Sequence, residues 1–118
     1  VKNAANEGAA QFRAEMLKQQ ELWGLKDWTY QFHVKEAKPK QTWEAEVFYD
    51  CETRHVKITY FYGIEDALHP VEVARHETLH IAMADMILAA VKARSEGCAA
   101  LGREEHKFIE RALKVWNH

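Results

Sequence analysis

Between Trp28 and Tyr62 the chain alternates apolar and polar residues three times over, and from Val71 onward the repeat lengthens to that of a helix. A period of two sends successive side chains to opposite faces of a sheet, whereas residues three and four apart share one face of a helix. The first segment sets Trp28, Tyr30, Phe32 and Val34 against Thr29, Gln31 and His33, and closes at Lys38-Pro39-Lys40. In the second, Trp43, Ala45, Val47 and Tyr49 repeat the alternation before a turn at Asp50-Cys51-Glu52-Thr53. The third opposes Val56, Ile58, Tyr60 and Tyr62 to His55, Lys57, Thr59 and Phe61. Short connections make sequential strands antiparallel neighbours, so the expectation is a three-stranded antiparallel meander.

Helical patterns flank these strands. From Ala5 to about Trp23, Ala9, Phe12, Met16 and Trp23 fall near one stripe, and Gly24 supplies a stop. Gly63 to His69 reads as a loop, and Pro70 suits the first position of a helix running from Val71 to about Arg94. Gly97 ends it, and a last amphipathic helix follows from about Arg103 to Trp116. The order α-β-β-β-α-α predicts a single α+β domain over residues 1–118, with helices packed on one face of a small sheet.

Composition excludes several classes of function. A formal charge of −2 gives no general attraction to nucleic acid or anionic membrane, and hydrophobic content of 47% suits a folded globule. The apolar stretch from Ile81 to Val91 is interrupted by Asp85 and is too short to cross a bilayer. With a polar N-terminus as well, the expectation is a soluble, cytoplasmic protein with no membrane or nucleic-acid partner. Cys51 and Cys98, 47 residues apart and outside any C-x-x-C pair, read as two reduced structural thiols.

The chemistry concentrates in the long helix, at His76-Glu77-Thr78-Leu79-His80. Histidines four apart stack on one helical face, where they can share one zinc ion, and the glutamate after the first lies beside a bound water. Given 7 histidines in 118 residues, the pattern is expected by chance about 0.05 times in such a chain. Zinc catalysis needs a third protein ligand and an open position for water. An extended motif with a third histidine on the same helix is excluded, because Met83 and Met86 stand where it needs glycine and histidine. Asp85 lies about 140° round the helix from His80 and faces away. The final helix offers Glu104, Glu105 and His106, 24 to 26 residues after His80. Helical phase favours Glu105, which falls with Phe108, Ile109 and Ala112 on an apolar face where a carboxylate needs compensation. Glu104 and His106 fall toward its margins, and Glu104 also suits simple complementarity to a helix N-terminus.

With these residues in view, the chain resembles the gluzincin-type zincins, in particular the small single-domain members of the SprT-like and ImmA-like sort, often phage-encoded or stress-related. The resemblance rests on His76-Glu77-x-x-His80, a downstream Glu104 or Glu105, and the preceding strands, over roughly residues 27 to 113. It lacks the N-E-x-x-S-D type signature and second lobe of the larger gluzincins. It implies a minimal zincin-like fold, one zinc per chain held by His76, His80 and a downstream glutamate, Glu77 as general base, and a peptide or protein substrate. The reaction expected is metallopeptidase hydrolysis. Zinc lowers the pKa of its water to about 7, and Glu77 takes the proton and returns it to the leaving amine.

Tyr60, Tyr62, His69 and Arg111 are the available donors for an oxyanion, though the tyrosines also suit the sheet face and Arg111 the solvated side of the last helix. His69 can line the cleft or merely turn the chain into the helix. His33, His55 and His118 read as solvent-exposed, and Trp28, Tyr30, Phe32 and Trp43 as core. The alternative to an enzyme is a non-catalytic zincin-like module that binds zinc and regulates or inhibits a partner protein.

Overall fold

The structure, a computed structural model, describes residues 2–93 and 98–116. Its elements are α1 (Lys2–Leu22), β1 (Thr29–Glu36), β2 (Ala45–Asp50), β3 (His55–Tyr62), α2 (Pro70–Ala93) and α3 (Cys98–Trp116). The expected order and the α+β class hold. Three helices accompany one three-stranded sheet. Among the described residues no helix is long and apolar enough to cross a membrane.

Helix α1 buries Phe12 and Met16 on the expected stripe, together with Trp23 just past its end. It stops where Gly24 adopts φ +67°, a left-handed conformation that glycine enters without a Cβ penalty. There the amide of Gly24 donates to the carbonyl of Glu21 and the amide of Leu25 to that of Gln20, closing a Schellman motif. Leu25 and Trp28 then enter the core, each almost fully buried. Two polar residues share the buried stripe. The Gln19 amide donates to Glu15 at 2.7 Å, and Arg75 of α2 donates to the same carboxylate at 3.3 Å, so the packed polar atoms are paired.

The sheet is mixed, which corrects the expected antiparallel meander. Its order is β1-β3-β2, with β1 parallel to β3 and β2 antiparallel to β3. Burial explains the order. Val56, Ile58, Thr59 and Tyr60 make β3 the most buried strand, so it takes the centre, where both edges are paired. The connection over residues 37–44 is long enough to carry the chain past β3 to the far edge, about 10 Å away. Gln41 stiffens that connection, accepting from the Lys38 amide at 3.1 Å and donating to the Trp43 carbonyl at 2.9 Å. The β2–β3 turn is short, and Asp50 Oδ1 accepts from the Glu52 amide within it at 2.9 Å.

Three smaller expectations are corrected. Trp43 precedes β2 and is 49% exposed rather than in the core. His33 is half-buried, with its Nε2 atom enclosed and without a hydrogen-bond partner among the described residues. Helix α3 begins at Cys98, before the expected Arg103, so Gly102 lies inside it.

Candidate metal centre

Pro70 opens α2 with its ring at a position whose amide would find no helical partner. His69 is the cap before it. Its carbonyl accepts from the amides of Glu72 and Val73, and its Nδ1 accepts from the Val71 amide at 3.2 Å. The structure therefore gives His69 a helix-starting role. One face of α2 buries Val73, Ala74, Thr78, Ile81 and Ala82 against α1 and the sheet. The opposite face carries His76 and His80 into solvent.

Their rings meet edge to face, with centroids 4.9 Å apart and planes inclined by 78°. The two Nε2 atoms lie 3.2 Å apart. Two imidazoles on one tetrahedral zinc, each about 2.05 Å from it, have nitrogens about 3.3 Å apart, so the pair fits a shared ion. Neutral imidazoles sharing one proton adopt a similar spacing.

Glu77 follows the ring pair round the helix and points inward, 8% exposed. Burial, followed by the carboxylates of Glu44 and Glu46, raises its pKa to about 7. A metal dication beside it would favour the ionised form and draw that value down. The two neighbouring acids come from the edge strand and the residues entering it. Glu44 Oε1 accepts from the Leu68 amide at 3.2 Å, and Glu46 Oε1 accepts from the Trp43 indole at 2.9 Å. Sequence reasoning overlooked both. Their strand phase reads as an ordinary solvated face, and their effect on Glu77 arises only once β2 is an edge strand beside α2.

The side chains of Glu104 and Glu105 lie outside the described residues. The register of α3 is described further along. Its Arg111 donates to Asp85 Oδ2 at 2.8 Å, and Phe108 packs on Trp23 with ring centroids 5.8 Å apart. Helix α3 starts near the C-terminal end of α2 and reaches Asp85 only at Arg111, so it runs back along α2. At 1.5 Å per residue, position 105 is then about 16 Å along the helix pair from His80. That register does not bring Glu105 to the histidines. The phase argument changes as well. Ile109 is 46% exposed, and the inward face is built from Phe108, Arg111, Ala112 and Val115. His106 is exposed and pairs with Glu110 at 3.0 Å.

Glu105→Ala and Glu104→Ala are accordingly each expected to change zinc affinity less than about threefold, against the losses of tenfold or more that follow damage to a ligand set. Isothermal titration would check this, and a tenfold loss in either variant would mean that α3 moves to the metal.

Tyr60 and Arg111, two of the other candidate donors, lie in packed surroundings. Tyr60 is buried against Phe12, with ring centroids 4.9 Å apart, and burial and then Glu44 raise its pKa. Gly8 makes room for it, because a Cβ there would stand 3.1 Å from the Tyr60 hydroxyl. Arg111 is held by Asp85, which also accepts from the Trp28 indole at 3.0 Å and from Arg54 at 3.2 Å. Asp85 thus faces away from the histidines, as its helical angle requires. Among the described residues, no group of three His, Cys, Asp or Glu side chains is arranged to hold a metal ion. No family model, curated protein or solved structure matches the chain.

Proposed function

We propose that this chain is a zinc-dependent hydrolase of peptide bonds on a minimal zincin-like frame, with His76 and His80 as metal ligands and Glu77 as general base. The observation that carries the reading is the 3.2 Å separation of the two Nε2 atoms on an open helical face, one residue from a buried glutamate. Zinc, when bound, supplies an acidified water and a Lewis acid for the scissile carbonyl. Glu77 accepts the proton of that water and delivers it to the leaving amine. Without metal its pKa is raised to about 7, and a bound metal would draw it down toward the ionised form that accepts a proton. His76 and His80 would fill two of the metal's positions and leave the others to a third protein ligand and to water. Glu105 joins them only if α3 releases the Arg111–Asp85 pair.

The antiparallel edge strand β2 adds a register for substrate. The Phe61 amide donates to the Glu44 carbonyl at 2.8 Å, so the alternation of an antiparallel ladder turns the backbone groups of Ala45, Val47 and Tyr49 outward. An extended peptide can pair with them by strand addition.

A zinc-loaded sample incubated with a random peptide library, read by mass spectrometry, tests the reading. Cleavage that stops with a chelator and returns with zinc supports it; a zinc-loaded chain that cleaves nothing overturns the peptidase. The second reading, a zinc-binding module that regulates a partner protein, is favoured by the solvent-open histidine pair. Such a module would hold its partner equally well after Glu77→Gln.

A further inference from the structure

The solvent face of α2 that carries the histidines also carries Leu79, Met83, Ile87 and Val91, exposed by 45%, 47%, 54% and 58%. Four large aliphatic side chains spaced by four residues form one continuous ridge along the helix. Half-exposed, they present on the order of 400 Å² of apolar surface, at the level where a monomer's largest patch becomes an interaction site. Two such patches supply about 800 Å² of apolar surface, to which the polar groups around them add, against the roughly 1,000 Å² of a specific contact.

We propose that α2 packs against α2 of a second copy of this chain, antiparallel across a two-fold axis beside position 85. The patch is self-complementary under that operation. Met83 meets Ile87 of the second copy and Leu79 meets Val91, so each exposed aliphatic side chain finds another. Antiparallel helices set their dipoles in opposition, and a net charge of −2 per chain raises little repulsion between copies. Ridges of this kind interdigitate at an interaxial angle of about −50°. The C-terminal half of the second α2 then stands beside His80 and leaves the histidine pair open at its other side. Resting on the hydrolase reading, this gives the second copy a role. It supplies one wall of the substrate cleft beside the histidine pair.

Light scattering on the zinc-loaded chain at tens of micromolar tests the proposal. The expected mass is twice the 13.7 kDa of one chain. Met83→Glu and Ile87→Lys, each alone, are expected to give the single-chain mass with zinc per chain unchanged. The double variant Met83→Glu/Ile87→Lys is expected to regain the dimer, because the two-fold brings the new acid of one copy to the new base of the other. A single-chain mass for the unaltered protein overturns the proposal. So does a dimer that survives either single change, or a double variant that stays monomeric. The metal reading is scored separately. A dimer that binds no zinc removes the hydrolase and leaves the interface, whereas a monomer that binds zinc does the reverse.

Discussion

Glu77→Gln is expected to keep zinc bound and to lower the rate of peptide hydrolysis by about 10²–10⁴-fold, the range that a positioned general base contributes. The amide matches the carboxylate in shape but accepts no proton from water. Its site is 8% exposed and packed among α2, β2 and the residues entering β2, so no other acid can swing into its place without repacking. Glu44 and Glu46 are the nearest alternatives, and each is tied by its own hydrogen bond to the Leu68 amide or the Trp43 indole. Initial rates on any cleaved peptide, with zinc content measured on the same sample, check the prediction. Hydrolysis within twofold of the unaltered protein would assign the proton transfer to another group.

Asp85→Ala is expected to destabilise the fold by about 3 kcal/mol, read from the midpoint of urea unfolding. One carboxylate, with a side chain 12% exposed, receives hydrogen bonds from three elements: Trp28 before β1, Arg54 before β3 and Arg111 of α3. Arg54 also pairs with Asp27 and lies over the Trp28 ring, 5.8 Å from its centroid. Alanine leaves the buried indole N–H without an acceptor and removes the anion between two guanidinium groups. Those groups are 38% and 34% exposed, so water takes up part of the loss and the effect falls below that of a fully enclosed ion pair. Asp85→Asn keeps an acceptor for the indole and is expected to cost about half as much. A change under about 1 kcal/mol for alanine would mean that the three elements are joined by apolar packing alone.

The residues made the elements legible because each has a local cause. The stripe of Phe12, Met16 and Trp23, the glycine stop at Gly24, the alternations through Tyr62 and the proline start at Pro70 all act within a few residues of one another. Strand order is not local in this way. It turns on β3 having the most to bury and on a connection over residues 37–44 long enough to pass it, and an alternating pattern encodes neither comparison. The histidine pair was legible for the same local reason, since spacing by four fixes one face of a helix. The position of Glu105 relative to that pair was not. It depends on the register of α3 along α2, which the Arg111–Asp85 pair sets, and the expected solvated role for Arg111 concealed that pair. The roles of Glu44 and Glu46 lay hidden in the strand order.

The central claim is that His76 and His80 hold a metal ion. Elemental analysis of the purified chain after zinc loading and removal of excess metal tests it most directly, alongside His76→Ala/His80→Ala. About one zinc per chain in the unaltered protein, and none above background in the double variant, is the predicted result. Zinc absent from the unaltered chain would contradict the claim and leave the two rings sharing a proton; zinc retained by the double variant would place the metal elsewhere.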